Sequence, residues 1–197
     1  MIYLVRHGET QWNVEQRRQG RGDSPLTARG LKQSAAVGQL LTDLLGANRH
    51  VQIMSSPAER SYQTACIIAQ ALALPETDIV RTQWLDEMDF GLWQGLTDAE
   101  IAEQFPDQWR MRQLNRWTFS YPEGESYPEL CSRVAHWMAE RDPERVTIAV
   151  THQWTSRVIR GQYLRYPKQE MFDLMHDHGL VVKLDAETET LYRIAAE

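Results

Sequence analysis

Two short runs limit the architecture of this chain more than any other feature. Ile2-Tyr3-Leu4-Val5 and Val146-Thr147-Ile148-Ala149-Val150-Thr151 offer no alternation of polar and apolar residues. Neither run can serve as a strand with one wet face, and both read as strands buried on both faces of a parallel sheet. Strands of that kind need helical crossovers. The sequence between them supplies helical and extended stretches in alternation, so an α/β domain with helices on both faces of a mostly parallel sheet is expected.

The remaining elements follow from local chemistry. Thr27 is placed as the N-cap of a helix with Leu31, Ala35, Leu40, Leu41 and Leu44 on its apolar face, ended by Gly46. Val51–Met54 is a second strand in chain order. Ser56 as cap, Pro57 at the first helical position and Glu59 in a capping box predict a helix running to about Leu74. Ile79–Thr82 is a short strand, and Trp84 to Gly95 a loop. Thr97 with Glu100 opens a helix that Pro106 interrupts. Ser126 with Glu129 opens another, through about Arg141. A helix after His152 runs to about Leu164, and Val181–Leu184 with Leu191–Ile194 close as a hairpin. With no repeat or linker, residues 1–197 read as one domain, with a helical insert at about 97–127 as a lid over the site.

Composition removes several function classes. The chain of 197 residues is 42% apolar and 24% charged, ordinary for a globular protein. No apolar run is long enough to span a membrane. The chain opens on a strand without a basic leader or cleavage site, so a cytoplasmic protein is expected. Cys66 and Cys131 lie in helices without metal spacing and read as buried thiols. The net charge of −6 (21 basic against 27 acidic residues) argues against nucleic acid as a partner. Local arginines in an acidic protein still suit a small phosphorylated ligand.

In open α/β sheets, ligands bind beyond the carboxyl ends of the strands. At that edge this chain releases Arg6-His7-Gly8-Glu9, Ser55-Ser56 with Arg60 one turn on, and Thr151-His152. Phosphoryl transfer needs such a group, because its catalysis is mostly positioning and electrostatic stabilisation of charge on three oxygens. Arginine binds those oxygens through a planar, permanently charged fork. A histidine attacks only through an unprotonated nitrogen, its other nitrogen held by an acceptor. Gly8 is expected to let the chain turn tightly past the imidazole. The leaving oxygen needs a proton donor, and a carboxyl group is the expected source. On chemistry alone Asp86, Glu87 and Asp89 compete for that role.

Leu4-Val5-Arg6-His7-Gly8-Glu9-Thr10-x-Trp12-Asn13 strongly resembles the N-terminal signature of the histidine phosphatase superfamily, in its phosphoglycerate-mutase-like branch. The match continues through Gln19-Gly20-x-x-Asp23-Ser24-Pro25-Leu26-Thr27, Ser55-Ser56-Pro57 with Arg60, and Leu85-x-Glu87-x-x-Phe90-Gly91. It resumes at Pro122-x-Gly124-Glu125-Ser126 and ends at Thr151-His152 with Arg157. The resemblance implies a three-layer α/β/α fold and a phosphohydrolase for a small phosphorylated metabolite. His7 would carry the phosphoryl group. Arg6, Arg60 and His152 would line the phosphate pocket, His152 also donating to a transferring oxygen, and Asn13 would hold a further oxygen. Glu87 would be general acid and then base, and Gln19 and Gly20 would border the entrance. It implies no metal and no organic cofactor.

Departures from the family pattern are Gln153, where glycine is usual, Tyr62 in place of an arginine, and Thr151 for serine. Gln153 is expected to narrow the pocket or disturb the helix start. Only 64 residues (88 to 151) separate Glu87 from His152. Family mutases carry a longer insertion there and a C-terminal tail, so a phosphatase is favoured over a phosphoglycerate-type mutase. A phosphate sensor without turnover is the non-enzyme alternative. Arg110, Arg112 and Arg116, with Trp109 and Trp117 in the insert, would suit an acidic or aromatic phosphoester, though a solvated helix face accounts for the arginines equally well. His176-x-His178 puts two imidazoles on one face if extended. Without a third ligand it reads as a substrate edge rather than a metal site. Trp154 is expected at the pocket edge, and His50 and His136 as surface or packing residues.

Overall fold

A computed structural model describes residues 1–46 and 50–195. Its strands are β1 (Ile2–Arg6), β2 (Val51–Ser55), β3 (Val80–Arg81), β4 (Val146–Thr151), β5 (Leu180–Asp185) and β6 (Thr188–Arg193). Its α-helices are α1 (Gln11–Val14), α2 (Ala28–Leu45), α3 (Glu59–Ala71), α4 (Asp98–Gln104), α5 (Pro106–Leu114), α6 (Tyr127–Glu140) and α7 (Gln153–Tyr163). The six strands form one sheet in the order β3-β2-β4-β1-β5-β6. The first four in that order are mutually parallel, and the β5–β6 hairpin adds an antiparallel edge beside β1.

The unbroken apolar strands divide their side chains between two cores. Ile2 and Leu4 face α6 and α7, packing with Tyr127, Leu130, Val158 and Ile159. Tyr3 and Val5 face α2 and α3, packing with Val37, Leu41, Ala65 and Ile68. This gives the α/β/α layering read from the sequence. Leu4 is fully buried, so Leu4→Ala would cost about 2–5 kcal/mol.

Three local expectations need correction. The buried face of α2 is Gly30, Gln33, Ser34, Val37, Gly38 and Leu41, whereas Leu31 and Ala35 are exposed. Small residues are favoured there because the helix packs close to its neighbours. A side chain at Gly38 would press on Ala71 of α3. Helix α3 begins at Glu59 with Ala58 at its cap position. The Ser56 hydroxyl instead donates to Asp86, 2.7 Å away, and accepts from the Ala58 N–H. Cys66 and Cys131 are half-buried rather than buried. The boxes at Thr97 and Ser126, the break at Pro106 and the closing hairpin are as expected.

Candidate active site

The site begins with register. Arg6 of β1 lies opposite Thr151 of β4, and the His7 N–H continues the ladder to the Thr151 carbonyl at 3.0 Å. His7 and His152 therefore leave neighbouring strand ends together. Their ring centres are 5.1 Å apart, edge to face. Arg60, the second residue of α3, reaches between them and is only 1% exposed.

The hydrogen bonds assign the protons. His7 Nδ1 donates to the Gly8 carbonyl at 2.8 Å, and His7 Nε2 accepts from Arg60 Nε at 3.3 Å. The lone pair thus sits on Nε2. Burial, then Arg60, His152 and Arg6, hold the His7 pKa well below the ordinary imidazole value. His152 is shifted the same way, by burial first and then by Arg60. Arg60 Nη2 meets His152 Nδ1 at 3.2 Å, and His152 Nε2 meets the Ser61 hydroxyl at 3.3 Å. A guanidinium only donates, so Nδ1 accepts and the proton of neutral His152 sits on Nε2, which donates to the Ser61 hydroxyl.

The remaining N–H groups of Arg60 go to the Gly20 and Gly22 carbonyls, both at 2.7 Å, and to Asp23 at 2.9 Å. Gly20 has φ +56°, a left-handed conformation that glycine adopts without strain. Gly8 is needed for a different reason than the expected tight turn. A Cβ there would fall on the Gly30 carbonyl, so glycine permits a close approach of backbones.

Arg6 Nη1 donates to Gln153 Oε1 at 3.2 Å and to the His176 carbonyl at 3.1 Å. Its buried Nε has no partner, and burial lowers its pKa to about 10 against the pull of Glu87. Such an unmet buried donor is costly unless something accepts from it. The carboxylate of Glu87 accepts from the N–H groups of Met88, Trp154 and Thr155 at 3.0–3.1 Å, the last two at the positive N-terminal end of α7. Asn13 uses its Oδ1 to close the cap of α1 on Thr10, so its amide nitrogen is the group left for a ligand. The Gln19 amide is tied to Thr10 and Ser24.

These residues surround one cleft with about 530 Å³ of open space, lined by Arg6, His7, Asn13, Gln19, Gly20, Arg60, Glu87 and Trp154 among others. All the expected site residues come together; His152 sits behind this lining, 1% exposed, against His7 and Arg60. Gln153 lines the cleft and leaves the helix start intact. Tyr62 turns to the α2–α3 core, where its ring carries the Arg81 guanidinium. The two late histidines part company. His176 is fully buried against Ser156 and the Leu180 carbonyl, whereas His178 Nδ1 donates to the His7 carbonyl at 2.8 Å. Among the described residues no cluster of three His, Cys, Asp or Glu could hold a metal ion. His136 packs on Trp84, and His50 is exposed.

Arg17 and Arg18 also line the cleft and were not singled out from the sequence; Phe90, which the motif match named without a role, lines it too. The only signal for the arginines was the Gly, Gln and Arg-rich loop that follows His7. A second group of cations rings Trp154. The guanidinium carbons of Arg112, Arg116 and Arg157 lie 5.7, 5.8 and 5.1 Å from its ring. Arg112 Nε donates to the Tyr121 hydroxyl and Arg157 Nε to the Leu174 carbonyl, while the buried Arg116 Nε has no partner. Among the described residues none of the three pairs with a carboxylate. Burial, then Arg112, lowers the Arg116 pKa. Arg110 is different, an exposed residue paired with Asp107.

The family model described as histidine phosphatase superfamily (branch 1) matches residues 2–194. The chain is 31% identical over 187 residues to the rat protein 6-phosphofructo-2-kinase/fructose-2,6-bisphosphatase 3, covering 93% of this chain and 31% of that one. It therefore spans about a third of the length of that relative. It is 43% identical over 135 residues to the Citrobacter koseri protein named "Probable phosphoglycerate mutase GpmB", covering 68% of this chain and 59% of that one. Among solved structures, alpha-ribazole phosphatase from Shigella flexneri superposes with a TM-score of 0.82 at 25% identity, over 99% of this chain and 96% of that one. A mycobacterial glucosyl-3-phosphoglycerate phosphatase complexed with VO3 gives 0.80 at 26% identity, over 100% and 98%. With the RHG segment, both histidines and Arg60 gathered at one sheet edge and a family match over nearly its whole length, the chain belongs to the histidine phosphatase superfamily.

Proposed function

We propose that the protein hydrolyses phosphomonoesters of small metabolites bearing a second anionic group, through a phosphohistidine on His7. The observation that carries this reading is the pair of hydrogen bonds on His7, which put its proton on Nδ1 and keep Nε2 unprotonated, with Arg60 Nε–H as the partner that a phosphoryl group would displace. Nε2 attacks phosphorus as the bond to the leaving oxygen breaks. Arg6, Arg60, His152 and the Asn13 amide hold the transferring oxygens. Glu87 gives the leaving oxygen its proton, then takes one from the water that attacks the phosphohistidine and frees Nε2. The guanidinium groups supply the positive charge, so no step calls for a metal.

The second anion is inferred from the cations around Trp154. Three close guanidinium groups without a carboxylate repel one another, and an acidic ligand group would relieve that cost. The relatives named for fructose-2,6-bisphosphatase and glucosyl-3-phosphoglycerate phosphatase carry substrates with such a group in their names. We place residues 97–127 as the lid that presents Arg112 and Arg116. A mutase is the second reading, favoured by the likeness to GpmB.

The test is phosphate release, in the presence of chelator, from phenyl phosphate, sugar bisphosphates and phosphoglycerates, with His7→Ala alongside. Release abolished by His7→Ala and fastest on substrates with a second anion is expected. Release that survives His7→Ala, or needs added metal, would sink the mechanism. Interconversion of phosphoglycerates without release would select the mutase.

A further inference from the structure

Glu87 is carried by a segment outside the sheet. Residues 83–87 have no strand partner, yet each of their five carbonyls is held by a side chain. Thr151 Oγ1 donates to the Leu85 carbonyl at 2.7 Å, and Thr155 Oγ1 to that of Asp86. A single guanidinium serves the rest. Arg133 Nη1 reaches the carbonyls of Gln83, Trp84 and Asp86 at 3.4, 3.0 and 2.9 Å, and its Nη2 reaches that of Glu87 at 3.3 Å. Its Nε and Nη2 also form a forked pair with Glu125, both at 3.0 Å and with both side chains about nine-tenths buried. Glu125 in turn accepts from the Asp89 N–H, on the far side of Glu87.

We propose that Arg133, locked by Glu125, is a positioning residue that sets where the Glu87 carboxyl stands relative to the leaving oxygen. It touches neither the cleft nor the Glu87 carboxyl group, so its effect passes through the backbone of residues 83–87. Lysine cannot replace it, because an ammonium offers three donors from one point and cannot span four carbonyls and a carboxylate. A displaced acid harms reactions in proportion to the leaving group's need for a proton. The proposal rests on Glu87 being the acid, and the experiment separates the two claims.

Phosphohistidine formation is followed in single turnovers with phenyl phosphate, whose leaving oxygen needs a proton, and with 2,4-dinitrophenyl phosphate, which leaves unaided. Arg133→Lys, Glu125→Gln, Glu87→Gln and the Arg133→Lys/Glu87→Gln double variant are compared. Glu87→Gln should slow phenyl phosphate by about 10²–10⁴-fold and leave dinitrophenyl phosphate within a few-fold. If it does not, Glu87 is not the acid. Arg133→Lys and Glu125→Gln should each show the same selectivity at smaller size, about 10–10²-fold. In the double variant Arg133→Lys should add little to Glu87→Gln. Equal losses on both substrates, or full additivity in the double variant, would overturn the positioning role. Glu125→Gln keeps side-chain volume and carries the test if Arg133→Lys does not fold.

Discussion

The phosphate end of the cleft and the ring of arginines around Trp154 use the same residue type in opposite ways. Arg60 has every N–H engaged by backbone carbonyls, Asp23 and two imidazoles. Arg112, Arg116 and Arg157 stand close together on an aromatic surface, paired with no carboxylate among the described residues. A saturated guanidinium is fixed before any ligand arrives, and its N–H groups on the two imidazoles are the ones free to pass to a PO₃ in the same place each time. Under-paired cations gain from whatever anion they meet, which suits the part of a site that distinguishes one phosphoester from another.

Variants can break this comparison. His7→Ala should lower kcat/KM by about 10⁵-fold or more on every substrate and abolish acid-labile protein phosphorylation. A smaller, or substrate-dependent, loss would mean that the saturated end does not carry the common chemistry. Arg60→Met should cost about 10²–10³-fold, again regardless of the second group on the substrate. Arg116→Met should behave differently. KM for substrates with a second anion should rise by about 10–100-fold, the worth of one charged hydrogen bond, while phenyl phosphate is unchanged. Equal effects on both substrates would remove the specificity role from the lid.

The smallest expected effect is on stability, and it sharpens the contrast from the histidine side. Burial is the leading cause holding His7, His152, His176 and His178 below the ordinary value of 6.5, the last two at about 3. The unfolded chain regains the ordinary value and binds protons that the folded chain does not. Stability is therefore full above about pH 6.5 and falls as pH drops toward 3, by up to about 1.4 kcal/mol per pH unit for each histidine. Urea midpoints at pH 7 and pH 5 check this. His176→Gln, away from the chemistry, should flatten the slope, and an unchanged slope would show that His176 titrates normally.

The sequence alone determined much of this protein. Continuous apolar runs demand a two-sided sheet, and Arg6-His7 and Thr151-His152 follow such runs directly, so their place at a strand end was readable. The caps at Thr27, Thr97 and Ser126 were readable too, because a cap is a contact within four residues. Ser56 failed for the same kind of reason in reverse. A partner 30 residues away, Asp86, took its hydroxyl, and no local pattern encodes that. Only the tertiary structure decided that β1 and β4 are neighbours. Their pairing turns two motifs 145 positions apart (152 − 7) into a single site. The contacts of Glu87 with the start of α7, the separate fates of His176 and His178, and the carbonyls gathered by Arg133 were likewise set by distant backbone groups. Those groups are the same in every residue but proline, which lacks the N–H, so the amino-acid letters carry almost no record of which of them a side chain will meet.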